Sequence, residues 1–169
     1  MSICKLVSLT IFSATVVGVT ACEDDSEGPD VEAFTATLTA ANEPPTATGP
    51  VVSTGTGTAR IEFTTTGLLY TVTVNNALTT PITSGGAHIH GPCPPATCTS
   101  AGVVLGLNPN ITVTTGTIAQ GSATGPGTSA PTISMDSLKS MIRNGNAYVN
   151  VHTTRYNLGE IRGQLVPAN

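Results

Sequence analysis

Tryptophan is absent from this chain of 169 residues. Aromatic residues make up only 4% and charged residues only 9%. So little charge, beside abundant Thr, Gly, Val and Pro, argues against a helical fold and for an extracellular β fold. Six Lys and Arg against ten Asp and Glu leave no basic footprint for nucleic acid. There is no G-x-S-x-G elbow, no phosphate loop and no dinucleotide fingerprint, so a serine or cysteine hydrolase has no support. No tandem repeat is visible. Histidine is scarce as well, with three in the whole chain.

What is present divides into three compositional regions. Met1–Ala21 carries one charge, Lys5, followed by the apolar or small run Leu6–Val19. At about 14 residues this run is too short to span a bilayer, which takes roughly 20, and it fits the apolar region of an export signal. Val19-Thr20-Ala21-Cys22 follows. Small residues before a cysteine resemble the lipobox of bacterial lipoproteins. That resemblance implies cleavage before Cys22, lipid on its thiol and a membrane anchor in the bacterial cell envelope, at the periplasm or the cell surface. A plain secretory signal with an incidental cysteine is the alternative.

Residues 22–32 form the second region. Glu23, Asp24, Asp25, Glu27, Asp30 and Glu32 hold six of the ten acids, as expected of a disordered, self-repelling tether. The net charge of −4 therefore belongs to the tether. From Ala33 onward five bases face four acids, which points to neither an acidic nor a basic partner. Residues 33–169 form the third region, which has the length of one domain with a core of its own.

Of the four cysteines, only Cys93 and Cys98 fall in this domain, as C-x4-C among Pro92, Pro94 and Pro95. Outside the cytoplasm the expected outcome is a disulfide, with a metal site as the rival. Alternation marks strands at Phe34–Leu38, Gly57–Phe63, Leu68–Val74, Ala87–His90, Val103–Leu107, Ile111–Ala119, Ala147–Thr153 and Gly159–Val166. Gly67 suits a hairpin turn. The stretch 120–131, rich in Gly, Ser and Pro, reads as a loop. Ser134–Asn144 spaces Met135, Leu138, Met141 and Ile142 as one short helix, with Ser134 as N-cap and Gly145 as terminator. The fold class is all-β: an antiparallel sandwich or barrel, with this helix before the last two strands.

All the histidines fall in two strand motifs, Gly86-Ala-His88-Ile-His90-Gly91 and Tyr148-Val-Asn150-Val-His152-Thr153. Residues i and i+2 of a strand share a face, roughly 7 Å apart. His88 and His90 can thus converge on one ion, with Ile89 turned to the core. His152 from a neighbouring strand would complete a three-histidine site for zinc or copper, leaving a fourth position open. Structural histidines bonded to the backbone are the alternative. Glu43, Asn150, Glu160 and Arg162 are the candidates to support the site. By parity Glu160 and Arg162 share a face. They either pair there, or Glu160 orients a histidine while Arg162 guides an anion. Glu43, held between Asn42 and two prolines, could orient a histidine or begin a turn.

These motifs, in this order, resemble the CHRD family. The likeness covers about residues 34–166 and is carried by Phe34-Thr-Ala-Thr-Leu38, Asn42-Glu-Pro-Pro45, Gly55–Ala59, Leu69-Tyr-Thr-Val72, Ala87-His-Ile-His-Gly91, Gly145 with Tyr148–Thr153, and Gly159-Glu-Ile-Arg-Gly-Gln-Leu165. The resemblance implies an exported domain without an assigned reaction, serving in binding or envelope structure with a partner it does not name. A more distant likeness links Gly86–His90, Asn150-Val-His152 and Gly159–Arg162 to copper–zinc superoxide dismutase. It implies a Greek-key sandwich, copper on His88, His90 and His152, and, as the enzyme alternative, copper-only dismutation. The chain departs from that family in having no fourth histidine for a bridged zinc.

Overall fold

A computed structural model describes residues 31–124 and 133–169. The expected signal segment, Cys22 and the tether up to Asp30 lie outside the described residues. Among the described residues no helix is long and apolar enough to cross a membrane.

The order is β1 (Ala33–Thr39), a 3-10 turn (Ala40–Asn42), β2 (Thr56–Phe63), β3 (Leu68–Asn76), β4 (Ile82–His90), β5 (Val103–Gly106), β6 (Gly116–Ala123), α1 (Met135–Arg143), β7 (Tyr148–Thr153), β8 (Ile161–Gln164) and β9 (Val166–Pro167). All pairings are antiparallel. The sheet runs β5-β4-β7-β8-β1-β2-β3-β6, and β9 pairs with β1. β4 with β7, β8 with β1 and β3 with β6 are long crossings between non-consecutive strands. The curled sheet encloses one core, and this is the all-β, antiparallel architecture with one short helix that the alternation predicts.

Alternation places the core directly. Phe34, Ala36 and Leu38 of β1, Ala59 and Ile61 of β2, and Leu68, Tyr70, Val72 and Val74 of β3 are buried. From the other half come Ala87, Ile89, Val149, Val151 and Ile161. α1 covers this core with Leu138 and Ile142. Ser134 caps it by accepting a hydrogen bond from the Ser137 amide (3.1 Å), and Gly145 follows at φ +66°. The final strand is interrupted at Leu165, whose amide donates to Ala147 O (2.9 Å).

Three expectations need correction. The strand expected over Ile111–Ala119 begins only at Gly116. Gln120–Ala123 is not loop but the second half of β6, paired residue by residue with Leu68–Thr71. Its small residues fit the ladder because Gly121 leaves room for the Tyr70 ring; pairing outweighs composition here. Glu32, the last residue of the expected tether, meets the domain. The Glu32 carboxylate accepts from Arg143 Nε and Nη2 (2.7 and 2.6 Å), and the Arg143 guanidinium lies over Phe63.

The β2–β3 turn is closed by Thr64 N–H donating to Gly67 O (2.9 Å) and Gly67 N–H donating to Thr64 Oγ1 (2.9 Å). A side chain at Gly67 would run into the carbonyl of Ala123 at the end of β6. Gly67→Ala is therefore expected to lower stability by about 1–3 kcal/mol, since backbone must move to admit the methyl group. A urea melt unchanged by the substitution would contradict this packing.

Candidate metal centre

β4, β7 and β8 carry polar side chains on the face opposite the core. Their register aligns His90 with Tyr148 and Tyr148 with Gln164, and in the next row His88 with Asn150 and Asn150 with Arg162. His152 lies two residues beyond Asn150 and shares its face. Ile89, Val149 and Val151 point the other way and are fully buried. The fold thus brings the three histidines together as strand parity predicts. One nitrogen from each of His88, His90 and His152 lies within 4.8 Å of the others. The rings pack at centroid distances of 5.1–5.7 Å.

Two of the three rings are oriented by backbone. His90 Nδ1 is 2.9 Å from Ala101 O, and His152 Nδ1 is 3.0 Å from Asn157 O. A carbonyl only accepts, so each Nδ1 carries the proton and each Nε2 is left with its lone pair. Those two Nε2 atoms and His88 Nδ1 are buried with no hydrogen-bond partner. Among the described residues only two other buried side-chain atoms are in that state, Glu43 Oε1 and Asn150 Oδ1. Buried unpaired polar atoms are uncommon, and their concentration here needs a physical account.

Burial, reinforced by the neighbouring imidazoles, pushes His88 down to about 4. His90 is also pushed down to about 4 by burial, against its bond to Ala101, with His152 and Arg162 adding to the fall. His152 is lowered by burial, against its bond to Asn157. All three are therefore neutral at pH 7, the form that ligates metal. Burial raises Glu43 to about 7, against the attraction of Arg162.

These shifts act on stability in opposite directions. Below the ordinary histidine value of 6.5 the unfolded chain takes up protons that the folded site refuses, so the histidine contribution is lost as pH falls toward 4. Glu43 stabilises most below 4.5 and loses that contribution as pH rises toward 7. Three groups oppose one. The metal-free domain should therefore be less stable at pH 4.5 than at pH 7, on the order of 2 kcal/mol after allowing for solvent screening. Equal urea midpoints at the two pH values would contradict this.

The supporting residues are arranged differently from the expectation. Arg162 is not a free anion guide. Its Nε donates to Asn42 O (2.6 Å) and its Nη1 to Thr99 O (2.8 Å), while its guanidinium lies 4.6 Å from the Tyr148 ring centroid. Tyr148 in turn stacks on His90, at 4.9 Å and an interplanar angle of 9°. Glu43 Oε2 lies 4.0 Å from Arg162 Nε, and no histidine bonds to the carboxylate. It meets Asn150 across Gly159, where a Cβ would collide with both side chains and where φ is +133°. Asn150 Nδ2 donates to Leu158 O (3.4 Å). Glu160 neither pairs with Arg162 nor orients a histidine. It is fully buried on the core side, bonded to Ser53, Thr79 and Thr153.

Cys93 and Cys98 form the expected disulfide. The segment that directly follows Cys98 brings the Thr99 and Ala101 carbonyls to Arg162 and His90. Ala101 N–H also donates to Tyr148 Oη (3.3 Å). Sequence reasoning missed the roles of Tyr148, Ala101 and Asn157. A groove beside α1, lined by Pro92, Asp136, Ser140 and Asn146 among others, contains none of the histidines.

The motifs that build this face belong to a chain that matches the CHRD domain family over residues 34–165, more than half its length. The protein belongs to the CHRD family. No curated protein and no solved structure matches it. The CHRD match spans the strands that carry the site, from β1 to Leu165 of the interrupted final strand. The likeness to dismutases rests on the strand motifs alone.

Proposed function

We propose that this CHRD protein is an extracytoplasmic binding module that holds one copper or zinc ion between His88, His90 and His152. The observation that carries the reading is the set of three convergent, unpartnered nitrogens, two of them on imidazoles whose protons are committed to backbone carbonyls. Imidazole suits both metals, and outer partners that fix the ring tautomer favour ligation. A bound ion would satisfy all three nitrogens at once. Lipid on Cys22 would hold the module at the bacterial envelope, where it serves in binding or structure with an envelope partner.

Two measurements test this. Metal analysis of tag-free protein, offered copper and zinc in turn, should return about one ion per chain. A content near zero with both metals would reject the site. Labelled palmitate should enter the wild type and not Cys22→Ala; labelling of neither would reject the anchor.

A further inference from the structure

The loop between β4 and β5 begins one residue after a histidine of the site and returns to touch that same histidine. Its ends are joined by Gly91 N–H donating to Gly102 O (3.1 Å), but its two cysteines are held differently. Cys93 is buried, its amide donates to Asn146 O (2.7 Å), and its carbonyl accepts from Gln164 Nε2 (3.4 Å), so it is fixed to the body of the domain. Cys98 is partly exposed and directly precedes the segment that meets the site. In that segment Thr99 O accepts from Arg162, Ala101 O accepts from His90 Nδ1, and Ala101 N–H donates to Tyr148 Oη. The disulfide joins the fixed end to this segment across five residues.

We infer that the Cys93–Cys98 bridge is a thiol-sensitive control on metal binding, acting through the Ala101 carbonyl that sets the tautomer of His90. The inference rests on the metal reading above. A dithiol reductant supplies the chemistry. One of its thiolates attacks the accessible Cys98 sulfur and breaks the S–S bond, giving a mixed disulfide. Its second thiol then displaces Cys98. Two electrons and two protons pass to the protein, leaving Cys93 and Cys98 as thiols and the reductant as a disulfide. The 98–101 segment then keeps its own hydrogen bonds and, at its far end only, its continuation through Gly102 into β5. As Ala101 leaves His90, the ring can rotate and exchange tautomers, and Nε2 is no longer presented to the ion. Arg162 loses the Thr99 carbonyl in the same step, which loosens the stack over Tyr148 and His90.

The test uses zinc, which has no redox chemistry of its own to reoxidise the thiols. Zinc affinity is measured for the oxidised protein, for protein reduced and capped with iodoacetamide, and for the Cys93→Ser/Cys98→Ser double variant. Both opened forms should bind about 10–100-fold more weakly, the range for loss of a partner that orients a ligand. In metal-free protein, nitrogen-15 spectra should show a protected His90 Nδ1–H with the bridge closed and its loss with the bridge open. Equal tight binding by closed and open forms would overturn the inference and leave the metal reading standing. Binding by none of the forms would overturn both. Amide protection in β1, β2 and β3 should be unchanged; its loss would also overturn the inference, because the bridge would then support the whole domain and not the site.

Discussion

Glu160→Ala is expected to cost about 3–5 kcal/mol of folding free energy, a large part of what a domain of this size possesses. The carboxylate is fully buried and faces four donors from three parts of the chain. Oε1 accepts from Ser53 Oγ (2.6 Å) and Thr79 N–H (2.7 Å); Oε2 accepts from Thr79 Oγ1 (2.9 Å) and Thr153 Oγ1 (2.7 Å). Truncation removes all four bonds, leaves the buried Thr153 hydroxyl without its acceptor and opens a cavity. Glu160→Gln keeps the shape but turns one acceptor into an amide. The hydroxyls can rotate to accept from that amide, so the loss should be smaller, about 1–3 kcal/mol. Urea unfolding of metal-free protein measures both. A loss below about 1 kcal/mol for the alanine variant would mean that the cluster does not hold the fold. Zinc binding should survive in the glutamine variant, because Glu160 lies on the core side and the histidines lie on the other.

The second large effect is stabilisation by metal. An ion that binds only the folded chain, supplied at a hundred times its dissociation constant, adds about 2.7 kcal/mol. For a domain of this length that raises the melting temperature by roughly 8–15 °C. His90→Ala and His152→Ala should each remove that rise. His90→Ala should also lower the metal-free melting temperature, because it empties the space against the buried Tyr148 ring. His152 is partly exposed, so its replacement should change the metal-free protein less. A zinc-dependent rise as large in His152→Ala as in the wild type would exclude that residue as a ligand. The comparison separates ligation from packing, since packing is visible without metal and ligation is not.

The strand and helix assignments were legible where one residue type decides one local choice. Alternation in β1, β2, β3 and β7 reports which face meets the core. Ser134 and Gly145 mark the ends of α1 by the hydrogen bond and the positive φ they supply. The histidine face was legible in part for the same reason: parity sets His88 beside His90 and Asn150 beside His152, while the pairing of β4 with β7 joins the two motifs. Parity failed at Glu160. β8 begins only at Ile161, and Gly159, at φ +133°, breaks the extended path before it. Of the partners of Glu160, Ser53 and Thr79 are 107 and 81 residues away in loops with no periodicity to read. The carbonyls of Ala101 and Asn157 were illegible in a deeper sense: every residue has one, and only the folded path of a loop decides which of them meets a histidine.

The opposite orientation of Ile89 and its two flanking histidines has a consequence for how this domain can change. Interior and exterior of the β4–β7–β8 wall are written in alternate letters of the same short words. Residues of one set can be exchanged while the volumes of the other stay as they are. The wall is therefore a page with a printed back. A designer could replace His88, His90, Asn150 and His152 with another donor set, or with none, and still rely on Ile89, Val149 and Val151 to close the core behind it.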